Sequence, residues 1–202
     1  MKQGELKKVA HGYSAFFQSP WREASAEFLR HEADWVQIVS FNASRFSNQY
    51  VPRSSMEFLK MPGVPTGSIL VQELRNPNES QRWVNLRDPP ANIFPEMLKQ
   101  FKPPISDPIN RSEILDLLAM SLDYWPNSYV LSIVACEEGN ISQAQRYFDA
   151  FISATANKPY SWVETRKQEL LECFSLAKSP EQFKTRLKGI MAEKLRALKL
   201  PA

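Results

Sequence analysis

Glycine, histidine and cysteine are scarce in this sequence, and their scarcity removes several kinds of functional site. The 202 residues contain six glycines, and none of them forms the G-x-G-x-x-G or G-x-x-x-x-G-K loops that bind phosphate groups. The two histidines, His11 and His31, have no cysteine or second histidine at metal-ligand spacing. We therefore predict no catalytic residue, no cofactor and no metal site, and we interpret both histidines as surface residues.

The two cysteines and the lack of long apolar runs bear on location. Cys136 and Cys173 are too few and too far apart to indicate a disulfide framework, and their apolar helical context predicts buried, inert thiols. No apolar run reaches the roughly 18 residues that a membrane-spanning helix requires. The N-terminus carries basic residues without an apolar segment behind them, which is untypical of a secretory signal. These absences predict a cytoplasmic protein with no membrane partner.

The stretch 25–47 is the most informative part of what is present. Glu27–Arg30 predicts a short strand, and His31–Asp34 is a polar break. Trp35–Phe41 is rich in β-branched and aromatic residues, which are typical of a second strand on a half-buried surface. Apolar residues at helical spacing predict an N-terminal helix over Lys2–Phe17.

Three further strands are predicted at Ser54–Met61, Ile69–Leu74 and Arg82–Arg87, whereas the polar segment Asn42–Pro52 is expected to leave the sheet. A turn is predicted at Pro62–Gly67, and the polar connection between the last two strands indicates a hairpin. Short connections between successive strands favour an antiparallel meander.

The second half of the chain is predicted to be helical. A short helix at Ile93–Phe101 is followed by a proline-rich connector at residues 102–108. Further helices are expected to begin near Asn110, Ser128, Ser142, Ser161 and Ser179, with the first of them ending at Tyr124–Pro126. Residues 128–154 indicate a helical hairpin in which Gly139 ends the first helix.

These elements predict one α+β structural unit. It has an N-terminal helix, an antiparallel meander sheet of about five strands, and an all-helical C-terminal half that packs on or beside the sheet. The expected parts are a sheet-rich region at 1–101 and a helical region at 102–202.

Arginine and aromatic residues are concentrated in the strand half. The simplest interpretation places the aromatic side chains in the core and the arginines at its rim. The same residue types are also enriched at binding hot spots, so they indicate a protein-binding face. The candidate binding residues are Arg45, Phe46, Tyr50, Arg53, Arg82 and Arg87.

The charge distribution offers an alternative binding surface. The net charge is +3, but the segment from Lys178 onward has seven basic residues against two acidic ones. The candidate basic face consists of Lys184, Lys188, Arg196 and Lys199. Such a face suits nucleic acid or another anionic partner, and a solvated helix surface is the simpler interpretation. The acidic groups at Glu137–Glu138 and Glu169–Glu172 are likewise interpreted as solvated.

Part of the strand half resembles a known family. Phe28 and Arg30, followed by Val39–Ser44, are similar to a bacterial family of small proteins described only as a domain of unknown function. Ser40 and Asn42 stand where that family tends to show asparagine and glutamine. The resemblance covers about the first third to half of the chain. It implies an α+β fold and no known activity, and some relatives look like immunity proteins of bacterial toxin systems.

Three hypotheses for function follow. The leading one is a non-enzymatic protein-binding module, of the immunity type that the resemblance implies, with an exposed patch that includes Arg45, Tyr50 and Arg53. The alternative is nucleic-acid binding through the basic C-terminal helix. The third is an enzyme whose site is assembled from distant residues; a Ser-His-Asp site stays open, although the G-x-S-x-G motif is absent.

Overall fold

The computed structural model describes residues 3–45, 47–62, 68–158 and 160–200. Residue contacts divide the chain into two units. Unit 1 comprises Met1–Glu57 and Leu70–Asn110, and unit 2 comprises Phe58–Ile69 and Arg111–Ala202. Residues 58–69 therefore belong with the C-terminal helices, whereas residues 102–110 belong with most of the sheet.

The described residues of the first half of the chain form two helices and six strands. They are α1 (Gln3–Tyr13), β1 (Arg22–Ala24), β2 (Glu27–Glu32), β3 (Trp35–Ala43), β4 (Gln49–Phe58), β5 (Ile69–Glu73), β6 (Val84–Asn85) and α2 (Pro90–Gln100). The sheet order β1-β2-β3-β4-β5 is a meander, which confirms the predicted α+β fold and antiparallel sheet. The predicted turn at residues 63–67 lies outside the described residues.

The β2–β3 hairpin agrees closely with the sequence interpretation. The register runs from Glu27 opposite Ser40 to Glu32 opposite Trp35. A two-residue turn joins the strands, and its first residue, Ala33, has φ 51°. Aromatic residues of one sheet face pack with α1 and α2: Phe28 and Phe41 contact Phe17 and Tyr13, with ring centroids 4.3 Å and 4.8 Å apart respectively.

Several strand boundaries differ from the prediction. β1 was not predicted, and β4 begins at Gln49 within the segment expected to leave the sheet. Pro52 lies inside β4, where its carbonyl oxygen accepts from the Leu74 backbone N–H at 2.9 Å. β6 is only two residues long and pairs with β4. Between β5 and β6 the chain forms a loop at residues 75–83, in which Arg75 pairs with Gln81, and then returns to β4.

The proline-rich connector is bound to the sheet of unit 1 by a buried polar network. Gln37 accepts from the Arg30 guanidinium at 2.5 Å and donates to the Pro103 carbonyl at 2.9 Å. Arg30 also donates to the Pro104 carbonyl at 3.1 Å, and both side chains are almost fully buried. The carbonyl groups of the connector lie outside any helix or strand, and they accept hydrogen bonds from these buried side chains. The bonds fix the path of the connector.

The described part of unit 2 contains five helices, of which four pack around the remaining, buried one. They are α3 (Arg111–Ala119), α4 (Trp125–Glu137), α5 (Ile141–Thr155), α6 (Ser161–Leu176) and α7 (Pro180–Ala197). Every residue of α4 from Pro126 to Cys136 is buried, and α3, α5, α6 and α7 all pack on it. The prediction that Tyr124–Pro126 ends the first helix is wrong, because Pro126 lies in the first turn of α4, where proline is tolerated.

The α4–α5 hairpin confirms the predicted turn chemistry. Gly139 has φ 72° and follows the C-cap of α4. Its N–H donates to the Cys136 carbonyl at 3.1 Å, while the Asn140 N–H donates to the Ala135 carbonyl at 2.8 Å. These two bonds form a Schellman motif. Asn140 also caps α5, since its side chain accepts from the Gln143 N–H.

Residues 58–62 are held against the helices of unit 2 by three charged side chains. Lys194, which is 4% exposed, donates to the Phe58 carbonyl at 3.2 Å. Lys60 forms an ion pair with Glu137, and Arg166 donates to the Pro62 carbonyl. The predicted strand Ser54–Met61 is therefore correct only to Phe58, where the sheet ends and the anchored segment begins.

Candidate functional site

The candidate residues of the strand half do not form one exposed patch. Tyr50 is buried, and its hydroxyl lies 2.9 Å from the hydroxyl of Tyr13, so it does not belong to the exposed patch that the sequence predicts. Arg45 and Arg87 are exposed, and Arg82 lies 3.5 Å from Glu96. Phe46 lies outside the described residues.

Arg53 lies in a cleft at the outer strand of the sheet, which we call the arginine cleft. The cleft has a volume of about 500 Å³. Its lining residues come from β4, from β5 with the residues that follow it, and from the end of α2: Arg53, Val71, Gln72, Glu73, Arg75, Gln100 and Phe101. All of them belong to unit 1.

Side-chain amides fix the walls of the arginine cleft. Gln100 accepts from the Arg75 N–H and donates to the Arg75 carbonyl, both at 2.9 Å. Gln72 accepts from the Lys102 N–H at 2.7 Å. These bonds join the end of β5 to the end of α2, so the cleft is formed by tied backbone on both sides.

The charged groups of the arginine cleft differ in how they are paired. The Glu73 carboxylate accepts from the Gln81 amide, and one Arg75 guanidinium nitrogen donates to the Glu79 carbonyl at 3.0 Å. Arg53 is half-buried, and among the described residues its guanidinium makes no hydrogen bond and no close ion pair. A carboxylate, Glu27, lies within electrostatic range: burial raises the pKa of Glu27, and the charge of Arg53 lowers it. A guanidinium has five N–H donors, so Arg53 is the group in the cleft with the most unused binding capacity.

The predicted basic face is exposed but partly neutralised. Lys184, Lys188 and Arg196 are exposed on α7, and Lys199 follows the end of that helix with φ 55°. Lys184 lies 3.6 Å from Glu181. The neighbouring Arg186, at the same distance from Glu172, is also paired. The face therefore presents less unpaired positive charge than the sequence count indicates.

Two carboxylates predicted to be solvated are largely buried instead. Glu137 pairs with Lys60, and its side chain is 18% exposed. Glu169 accepts from the Tyr129 hydroxyl at 2.6 Å and from Arg166 at 2.8 Å. The partners Lys60 and Tyr129 lie far away in sequence, and the fold brings them to Glu137 and Glu169. Arg166 lies only three positions before Glu169 on α6. Their neighbours Glu138 and Glu172 are exposed, as predicted.

The predicted properties of the cysteines and histidines agree with the structure. Cys136 and Cys173 are free and buried. Burial raises the pKa of Cys136 to about 11 and that of Cys173 to about 12, so both thiols are neutral and unreactive near pH 7. His11 is highly exposed and lies 3.7 Å from Glu23, and His31 contacts the Ala33 carbonyl in its own hairpin turn.

Sequence reasoning missed an aromatic row at the start of two helices in unit 2. Trp125 and Trp162 have ring centroids 4.7 Å apart, and Tyr160 stacks on Trp162 at 6.1 Å. Tyr160 is 59% exposed and the two tryptophans are half-buried. Trp125 lies 35 positions before Tyr160 and 37 before Trp162, so sequence spacing alone gives no signal for the row.

Metal sites, membrane-spanning helices and similarity to known proteins do not narrow the choice of function. Within residues 3–45, 47–62, 68–158 and 160–200, no group of three or more His, Cys, Asp or Glu residues is placed to hold a metal ion. No helix in that part of the chain is long and apolar enough to cross a membrane. In comparisons with known proteins, no family model, no curated protein and no solved structure matches the chain.

Proposed function

We propose that the protein is a non-enzymatic protein-binding module whose arginine cleft receives an acidic segment of a partner protein. The observation that carries the proposal is the half-buried guanidinium of Arg53, which makes no hydrogen bond and no close ion pair among the described residues and interacts with Glu27 only through its charge. Its planar donors match the two oxygens of a carboxylate. Partial burial strengthens such a pair, because the surrounding protein screens charge less than water does.

The rest of the cleft supports an extended protein segment as the ligand. β5 is at one end of the sheet order, and its Val71 side chain is 39% exposed. An extended segment can lie along an outer strand, with side chains entering adjacent pockets. Arg75 adds a second positive charge beside Arg53, while the Gln81 amide already binds Glu73. An immunity-type role, which the family resemblance implies, is one form of this proposal.

The test compares the full tagged chain with charge variants in a pull-down from a lysate of the source cell. We expect the wild-type chain and Arg87→Glu to retain the same defined protein, identified by mass spectrometry. Arg53→Glu and the milder Arg53→Gln should lose that protein. Arg87 is the matched control, because it is exposed in the same unit but does not line the cleft. Thermal unfolding of each variant checks that its fold is unchanged.

Two outcomes would contradict the proposal. One is retention of the same proteins by the wild-type chain and by both Arg53 variants. The other is capture of nucleic acid that is released at high salt, because this result points to the basic face.

Nucleic-acid binding is the second candidate function, and exposure of Lys184, Lys188 and Arg196 on α7 favours it. This alternative predicts an affinity for labelled DNA or RNA that falls steeply with salt concentration. Charge reversal of Lys184 and Lys188 should abolish that binding, while Arg53→Glu should leave it intact.

A further inference from the structure

Tyr13 and Tyr50 form the base of a second pocket, which we call the tyrosine pocket. It has a volume of about 410 Å³ and lies within unit 1. Val9 and Gly12 of α1 form one side, while Leu86 and Pro90 form the other. This volume lies in the range of pockets that bind small molecules.

The hydroxyl groups of the two lining tyrosines leave one donor unused. The Tyr13 and Tyr50 oxygens are 2.9 Å apart, and either can be the donor in their single hydrogen bond. Two hydroxyl groups carry two protons, and only one proton is used in that bond. Among the described residues, neither hydroxyl has another hydrogen-bond partner. The tyrosines are 0% and 2% exposed, so the unused donor is a deeply buried polar group beside a cavity.

Both tyrosines remain protonated donors at neutral pH. Burial raises the pKa of Tyr13, and its hydrogen bond to Tyr50 and the charge of Asp88 raise it further. Burial likewise raises the pKa of Tyr50 above its ordinary value. The pair can therefore donate to an acceptor but does not supply a negative charge.

Charges at the pocket opening restrict the type of ligand. Glu5 and Asp88 are two carboxylates, and Lys8 is one ammonium group. The lining therefore has no excess of cationic groups that would favour an anion, while the sides formed by Val9, Leu86 and Pro90 favour an apolar body. We infer that the tyrosine pocket binds a small, mainly apolar molecule that carries a neutral hydrogen-bond acceptor, such as a carbonyl oxygen. This inference concerns a different site from the arginine cleft and does not depend on the proposed function.

Three probes of similar size test the inference on the full chain. Acetophenone has the carbonyl acceptor, ethylbenzene lacks it, and benzoate adds a negative charge. We expect acetophenone to shift the backbone amide signals of Gly12 and Leu86 in NMR titrations. Its affinity should exceed that of ethylbenzene by about threefold to tenfold, the contribution of one neutral hydrogen bond. Benzoate should bind more weakly than acetophenone.

Phenylalanine variants test the role of the two hydroxyls. The double variant Tyr13→Phe/Tyr50→Phe should bind acetophenone and ethylbenzene equally, because both donors are gone. Each single variant should keep the preference for acetophenone, because one hydroxyl remains. Replacing both members of a buried hydrogen bond by apolar groups of similar shape is nearly neutral for stability, so the double variant should fold. Tyr160→Phe, an exposed position in unit 2, is the control and should change nothing.

The inference is overturned if the wild-type chain binds acetophenone and ethylbenzene equally, or if the shifted signals lie away from the tyrosine pocket. The probe comparison uses the wild-type chain alone, so it decides the matter even if the double variant fails to fold. Binding of acetophenone that survives in the double variant, with its preference over ethylbenzene intact, would also contradict the assigned role of the hydroxyls.

Discussion

Tyrosine hydroxyls are the buried groups that connect this structure most directly to pH. Tyr13, Tyr50 and Tyr129 are each at most 2% exposed, and burial raises the pKa of all three. For Tyr129, the negative charge of Glu169 raises the pKa further. The folded protein therefore keeps three phenolic protons that the unfolded chain releases near the ordinary pKa of 10.

We predict that the free energy of unfolding falls as the pH rises above 10. In that range the unfolded state binds fewer protons than the folded state, so stability decreases with pH; below pH 10 these groups contribute no pH dependence. The slope is up to about 1.4 kcal/mol per pH unit for each tyrosine. Denaturant unfolding at several alkaline pH values measures it.

The control for this prediction is Tyr129→Phe, which should unfold with a shallower pH dependence. The difference in phenolate absorbance between the wild-type chain and Tyr129→Phe reports the ionisation of Tyr129. This difference should appear only at pH values at which the wild-type chain loses its helical circular dichroism. If that absorbance appears while the fold is intact, Tyr129 ionises in the native protein and the prediction is wrong.

The burial of single residues could be predicted from the sequence more reliably than contacts between distant residues. The buried thiols and the exposed His11 follow from local context, and the structure agrees with both, whereas His31 is half-buried. The Tyr13–Tyr50 pair spans 37 positions, and no local pattern encodes it. The arginine cleft likewise needs β5, α2 and β4 to meet. Of its residues, only Arg53 was a sequence candidate.

At the scale of single elements, the same substitution, glycine to alanine, is expected to have opposite effects on stability at two positions. Gly139 follows α4 with φ 72°, whereas Gly189 lies inside α7. An added Cβ atom meets nothing within 4 Å at either position, so packing does not distinguish them. Only the backbone conformation differs.

We predict that Gly139→Ala destabilises the protein by about 1 kcal/mol, because alanine is strained at positive φ. Gly189→Ala should stabilise it by about 0.5–1 kcal/mol, because alanine has the higher helix propensity. Chemical denaturation of both variants measures the two differences. Equal effects of the same sign would show that the Schellman motif does not control the end of α4.

The end of α4 supplies a second matched pair. Glu137 and Glu138 are adjacent, but Glu137 is 18% exposed beside Lys60, and Glu138 is 53% exposed beside Arg111. Glu137→Gln should cost about 2 kcal/mol, because it removes the carboxylate that faces a largely buried ammonium group. Glu138→Gln should cost less than about 0.5 kcal/mol, since exposed pairs contribute little. Thermal unfolding that shows equal losses would contradict this difference.

Boundaries of elements were predicted less well than their existence, and the errors have local causes. Pro126 was interpreted as a helix stop, although proline is also favoured in the first helical turn. The residues before Tyr50 are polar, so their pattern did not indicate the start of β4. That start depends on pairing with β6, which lies far along the chain. Sequence patterns report a residue's own preferences, whereas these boundaries depend on the partner strand or on which side of a proline the helix lies.

At the scale of the whole molecule, the two units are interleaved in sequence. The chain passes from unit 1 to unit 2 after Glu57, returns after Ile69 and passes again after Asn110. The residues 58–62 carry contacts that the helices of unit 2 need: Lys194 donates to the Phe58 carbonyl, and Glu137 pairs with Lys60. No pattern in the sequence marks this segment as part of the helical unit.

We predict that residues 111–202 alone keep helical structure but do not unfold cooperatively. Without residues 58–69, the buried Lys194 loses the Phe58 carbonyl, and Glu137 loses Lys60, the closer of its two cations, so two largely buried charged groups each lose a hydrogen-bond partner. Circular dichroism should show helix, while the NMR amide signals should be poorly dispersed. Joining residues 58–69 to residue 111 through a long glycine–serine linker should restore cooperative unfolding, because unit 2 is then complete. A linked segment with Lys60→Ala should restore it only in part. Cooperative unfolding of residues 111–202 without the segment would show that the five helices form a stable core by themselves.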